Sequence, residues 1–359
     1  MKRAFCLMLL GIMFFAAPAS ATKLTAGEAA RARAQALSEE ERQVNVFTWT
    51  YYIPDEVVAE FEEASGIRVN YSAMMGNEDV LPKLTTGGAY DLVVCSDYII
   101  SDLVAMSQIR KLDKAKLSNY ANINPVYQSQ YYDPENLYTV PYTNTVPLIV
   151  YDPDAVDFEV KGYADLWRSE FEGNLALIAE WRGVIGIAQK KLGYSYNDTD
   201  PAHIAQVGEA LKALKGNIAV MNDDTPHSAL IYGDAIAGFM YGSQIVAAQQ
   251  VLPQLKVVYP DEGLGFGVDS MVIPEAAPHA EAAYILLDYL LDGEVSAYTS
   301  ELINYGNCNV DAKAYMTPEF LANGTVNIPE KWLTNTEMIK PLDGATLAAY
   351  DKIWTAFMQ

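Results

Sequence analysis

The chain has 359 residues, 51% hydrophobic and 19% charged, with a formal net charge of −22. That length suggests two domains, and that composition can bury a sizeable core, which excludes wholesale disorder. The negative charge disfavours nucleic acid and anionic membrane surfaces and favours cationic partners.

Lys2 and Arg3 precede an apolar run, Ala4 to Phe15, and a small-residue site, Ala19-Ser20-Ala21. This pattern predicts a secretory leader over residues 1–21, too short to span a membrane. Cys6 lies too early to carry a lipid at the cleavage point, so a free exported protein is expected. Removing the leader takes two basic residues and no acidic one, leaving a net charge of −24. Cys95 and Cys308 remain. An oxidising compartment permits a bridge between them; the alternative is two small buried residues.

Residues 25–42, rich in Ala, Glu and Arg, predict an exposed helix that acts as a spacer or a docking element. Val44 to Trp49 reads as a strand, Pro54 to Ala64 as a helix stopped by Gly66, and Ile67 to Tyr71 as a strand. Asn77 to Leu84 reads as a helix, Asp91 to Cys95 as a buried strand and Asp97 to Met106 as a helix. This alternation predicts a parallel sheet with crossover helices, whose ligands sit beyond the carboxyl ends of the strands. Residues 119–142 read as a long Tyr- and Asn-rich connection, followed by a strand at 146–151. A second alternating block runs from Leu175 to Pro260. Gly263 to Gly267 lacks the offsets of a dinucleotide fingerprint and reads as a loop. Asp269 to Pro274 then reads as a strand and Ala280 to Leu291 as an amphipathic helix.

His203, His227 and His279 are scattered, and neither a Gly-x-Ser-x-Gly elbow nor a phosphate loop is present. No metal, cofactor or catalytic residue is expected, and the chemistry points to binding rather than turnover.

Several segments, in order, carry a family resemblance: Phe47-Thr48-Trp49-Thr50-Tyr51-Tyr52-Ile53-Pro54, Gly88 to Tyr98, Ala164 to Trp167, Lys191 to Ser195 and Val268-Asp269-Ser270. From about Val44 onward the chain resembles the periplasmic spermidine/putrescine-binding proteins of ABC importers. The resemblance implies an α/β, two-lobed solute-binding fold of type II, each lobe a mostly parallel mixed sheet flanked by helices. Residues 22–43 would be an N-terminal extension. Residues 44–145 with 270–306 would form one lobe, and 146–269 with 307–359 the other lobe and the hinge crossings. The implied function is capture of a cationic amine by cleft closure and delivery to an inner-membrane permease. The alternative is a periplasmic sensor that presents the bound amine to a membrane receptor. A monomer is the family default.

Carried over by position, Trp49, Thr50, Tyr52, Ser96, Tyr98 and Tyr305 match the family's cleft residues, and Asp269 matches its ammonium-binding aspartate. Glu180 stands for a second aspartate. Tyr51, also expected at the ligand, replaces a glutamate, and Gly183 replaces another. Met240 and Gly267 stand where the family has tryptophan walls. Asp97, at a helix start beside the Ser-x-Tyr loop, reads as a solvated acid, the alternative being that it supplies a missing negative charge to the site.

Overall fold

The structure, a computed structural model, describes residues 19–333 and 335–359. The expected leader lies outside these residues except for its last three positions.

Strands β1 (Gln43–Thr48), β2 (Arg68–Ala73), β3 (Leu92–Ser96) and β4 (Val140–Thr145) belong to one sheet. Strands β5 (Pro147–Tyr151), β6 (Leu175–Leu177), β7 (Ile218–Met221), β8 (Ala237–Tyr241) and β9 (Lys256–Val258) form a second. The chain then returns to the first through β10 (Leu264–Val272), β11 (Gly306–Asn307) and β12 (Thr336–Met338). The larger sheet runs β2-β1-β3-β10-β4-β11, with β12 beside β10; the smaller runs β7-β6-β8-β5-β9. Strands β1 to β3 are parallel, and β10 is antiparallel to β3 and β4.

The helices are α1 (Ala19–Ala34), α2 (Asp55–Ser65), α3 (Val80–Thr85), α4 (Asp97–Ala105), α5 (Trp181–Lys191), α6 (Pro201–Leu214), α7 (His227–Tyr232), α8 (Gly242–Val251), α9 (Ala280–Leu290) and α10 (Gly293–Ile303), with shorter turns and a last helix at Gly344–Met358. None among the described residues is long and apolar enough to cross a membrane. Local signals set their ends. Asp200 caps α6 on the N–H groups of Ala202 and His203, with Pro201 at its first position. Gly66 ends α2 in the left-handed conformation that glycine adopts without strain.

Period-two alternation divides the core of the larger sheet. Val44, Val46, Leu92 and Val94 face one side, beneath α2 and α9, whereas Phe47, Val93 and Cys95 face the other, with Ile100 and Leu103 of α4. In the smaller sheet Leu148, Ile149, Ala176 and Phe239 build one core, and α5, α6 and the last helix pack a satellite cluster. Cys95 and Cys308 are both buried and free.

Three features differ from the sequence reading. First, the helix expected over 25–42 is not exposed. It is α1, which ends at Ala34 and packs its small-residue face on α2, α9 and α10. Ala26, Ala30 and Ala34 are buried, and a Cβ on Gly27 would stand 2.9 Å from the Ala64 Cβ. Arg31 Nε donates to the Ala64 carbonyl at 2.8 Å, and Arg33 pairs with Asp288 at 3.1 Å. Alanines carry little hydrophobic signal, but they allow close helix approach. Ala30→Glu is therefore expected to lower stability by about 3 kcal/mol, because it buries an unpaired carboxylate. A urea melt unchanged from wild type would return α1 to the status of a spacer.

Second, residues 140–142, read as the end of a connection, form β4 together with residues 143–145. Pro141 hid it, since proline cannot donate to a ladder. It is tolerated here opposite Ser270, next to a register shift between Asp269 and Ser270. Third, Gly263 to Gly267 is no loop. From Leu264 it is the first half of β10, a single strand that starts in the core of the smaller sheet and ends in the larger one. Residues 264–269, grouped with the second lobe on sequence, thus belong to a strand bonded to β3 and β4 at Gly267 to Asp269. Together with the β4–β5 passage through Val146, β10 links the two lobes.

Candidate ligand-binding cleft

A cavity of about 550 Å³ opens between the two sheets. Its walls come from the segments that follow β1, β2 and β3 in one lobe and β6, β7 and β8 in the other, with β10 at its base. This is the carboxyl-end location expected of parallel α/β sheets. All nine residues carried over from the resemblance line it: Trp49, Thr50, Tyr51, Tyr52, Ser96, Tyr98, Glu180, Asp269 and Tyr305.

Asp269 anchors one end. It is 4% exposed and accepts a hydrogen bond from the Tyr52 hydroxyl and one from Ser96 Oγ at 2.5 Å. Tyr52 also shares a 2.6 Å bond with Thr143, and Ser96 is held by Asn77 through two bonds of 2.8 and 3.0 Å. The register shift beside Asp269 falls on β4, where Tyr142 is the extra residue, while Asp269 keeps its regular pairing with Ser96 of β3. Burial raises its carboxyl above the usual range, while the Ser96 and Tyr52 bonds act against that rise. Trp49 and Tyr305 each meet Tyr52 edge-on, at 5.1 and 5.4 Å between ring centres. Asp97, expected in solvent, is only 1% exposed; it accepts a bond from the Val268 N–H. Burial and then the neighbouring Asp269 push its carboxyl well upward.

Glu180 anchors the other end, as the N-cap of α5. Its oxygens accept the N–H groups of Arg182 at 2.8 Å and Gly183 at 2.5 Å. A Cβ at position 183 would lie 3.0 Å from Glu180 Oε2, so glycine there lets the cap close. Burial pushes the Glu180 carboxyl up to about 7, against the pull of those N–H groups. Arg182, 3% exposed, spends its guanidinium on the Lys340 carbonyl at 2.8 Å rather than on the Glu180 carboxylate.

Sequence reasoning missed several lining residues. Met240, aligned to a tryptophan wall, lies fully buried in the lobe core, and its neighbour Tyr241 faces the cavity instead. Phe266 supplies further aromatic surface, and Glu78 and Asp223 further charge, while Trp181, which the sequence offers as a replacement for one lost aromatic wall, also lines the cavity. The Tyr241 hydroxyl is pushed well upward by burial first, then by Glu180, Tyr305, Asp223 and Asp269, so both acidic ends act on it. Tyr51 sits at the rim in a left-handed conformation with φ of 58°, its hydroxyl donating to Glu56 at 3.0 Å. Such a conformation is rare for a residue with a side chain, and strained positions concentrate at ligand loops.

The model of the bacterial extracellular solute-binding protein family matches residues 56–327. A spermidine/putrescine-binding periplasmic protein of Escherichia coli is 34% identical over 334 residues, covering 92% of this chain and 96% of that protein. A putrescine/cadaverine-binding protein of Pseudomonas aeruginosa is 26% identical, with coverage of 90% and 94%. The solved structure of a spermidine/putrescine ABC transporter substrate-binding protein of Streptococcus pneumoniae superposes with a TM-score of 0.78 at 26% identity, covering 88% of this chain and 98% of that one. These relatives are binding proteins, not enzymes, and the solved one shares the two-lobed fold. The chain belongs to the bacterial extracellular solute-binding proteins.

Proposed function

We propose that this chain is the exported capture subunit of an ABC importer for a diamine or polyamine, which it encloses by closing its two lobes. The observation that carries this reading is the division of the cleft into two acidic ends with aromatic surface between them. Asp269 and Asp97 form one end, Glu180 and Asp223 the other, and both act on Tyr241 of the cavity wall. Two ammonium groups joined by a methylene chain complement that arrangement. Each desolvated ammonium needs an anion, and the chain and its cationic ends gain from aromatic faces, about 0.5–2 kcal/mol per cation–π contact. The leader pattern supports a periplasmic location, and relatives of that location and transport role support a permease as partner. The sensor alternative has no comparable support.

Differential scanning fluorimetry with putrescine, cadaverine, spermidine and agmatine tests the proposal. Ligand at a hundred times its Kd adds about 2.7 kcal/mol of stability. A shift with a neutral sugar or an anion, and with none of the amines, would refute it.

Glu180 adds a pH signature. Its folded value of about 7 lies above its ordinary 4.5, so between those limits the folded state binds more protons than the unfolded one. Unliganded stability contributed by this group is therefore present at low pH and lost as pH rises toward 7. Amine binding has the opposite trend, because it needs the ionised carboxylate. Affinity is expected to fall by up to about tenfold per pH unit below 7, with proton release on binding. Calorimetry in buffers of different ionisation enthalpy measures that release; none at pH 6 would mean that Glu180 does not respond to the ligand.

A further inference from the structure

The second acidic end presents a difficulty. Each Glu180 oxygen already accepts a backbone N–H, which leaves only part of its accepting capacity for an ammonium, and neither Tyr51 nor Gly183 supplies a further carboxylate. Another acid on the cavity wall is placed to do so. Glu78 lies in the short turn after β2, and the turn is organised around it. Asn77 is buried and pinned to Ser96. Gly76 leaves room for the carboxylate, since a Cβ there would stand 3.1 Å from Glu78 Oε2. Glu78 Oε1 accepts two bonds, from the Tyr98 hydroxyl and from Trp181 Nε1, both at 3.1 Å.

Those two donors come from opposite sides of the cleft. Tyr98 lies in α4, on the larger sheet, and Trp181 opens α5, on the smaller. Glu78 therefore bridges the lobes. Both bonds fall on Oε1, so the remaining oxygen can receive a cation. Its charge is felt by the second end: it contributes to the upward shifts of both Tyr98 and Asp223.

We propose that Glu78 is a specificity-determining residue, which receives the second ammonium of the ligand and couples that contact to lobe closure through Trp181. This rests on the amine reading of the cleft. It makes the chain selective for ligands with two cationic ends over those with one. It also makes reach matter, because Glu78 is fixed by both lobes.

Calorimetry with putrescine, cadaverine and n-butylamine tests it on the wild type, Glu78→Gln and Glu78→Asp. Glutamine keeps an acceptor for Tyr98 and Trp181 but removes the charge. Its putrescine affinity is expected to drop about tenfold or more, and its butylamine affinity less than about threefold. Glu78→Asp keeps the charge on a shorter arm, so it should tilt preference from putrescine toward the longer cadaverine. Unchanged putrescine affinity in Glu78→Gln, or equal losses for putrescine and butylamine, would overturn the role of Glu78 while leaving amine capture intact. A wild-type protein that binds none of these three amines, nor spermidine or agmatine, would remove both.

Discussion

Asp269→Asn is expected to raise the melting temperature of the unliganded protein and to weaken amine binding by at least about a hundredfold. The two effects have one cause. Asp269 is buried beside Asp97, and burial raises both carboxyls. In the empty cleft their charges are desolvated without a cation, so the folded state bears a cost that an amide removes. The amide can keep the hydrogen bonds, because the hydroxyls of Tyr52 and Thr143 can rotate to reverse their relay. Bound amine reverses the balance, since a buried ammonium without its carboxylate loses much of its reason to enter. A rise of about 2 °C or more without ligand, and no shift with putrescine, is the expected fluorimetry result. A lower melting temperature for Asp269→Asn would show that the carboxylate holds the fold rather than the ligand.

Gly186→Ala should be a strongly damaging single-methyl change in the second lobe, costing about 3 kcal/mol. Alanine is the better helix former, by up to about 1 kcal/mol, so propensity alone predicts a gain. Packing opposes it. A Cβ on Gly186 would stand 2.1 Å from Cδ1 and Cε1 of the Tyr196 ring. The ring cannot retreat, because Gly265 of β10 lies behind it, where a Cβ would be 2.8 Å from the Tyr196 Cζ, and its hydroxyl is bonded to Tyr163 at 3.0 Å. Tyr196 also lines the cleft, and Gly265 lies four residues before Asp269 on the same strand. Urea denaturation with and without ligand should show lost stability together with weakened binding. Wild-type midpoints would mean that the ring has slack on a side the structure shows filled.

These glycines explain much of what the sequence revealed and what it hid. Elements with strong local signals were legible: α6 has its Asp-Pro start, α2 its Gly66 stop, and β3 its unbroken apolar run. Elements whose residues are dictated by a distant neighbour were not. The glycines at the start of β10 suggest a loop, yet Gly265 is glycine because the Tyr196 ring presses on it. Pro141 suggests a break, yet it sits beside a bulge. The alanines of α1 suggest an exposed face, yet they set the helix close against α2.

The same distinction applies to the cleft. Residues in short motifs next to strands, such as Trp49, Tyr52, Ser96 and Asp269, could be placed by resemblance. Tyr241 was missed by one position, because the strand alternation that buries Met240 turns the next side chain to the cavity. Glu78 carries no local signal of a role, since what defines it is a tryptophan more than a hundred residues away in the other lobe.

The route of the chain between the sheets bears on how the molecule is made. All five strands of the smaller sheet lie within residues 147–258, whereas the larger sheet needs β1 to β4 and then β10 to fill the gap between β3 and β4. The N-terminal lobe is therefore of high contact order and cannot close until the chain past residue 272 is available, so it should fold after its partner. That delay keeps the leading segment unfolded for as long as the later part of the chain has yet to arrive.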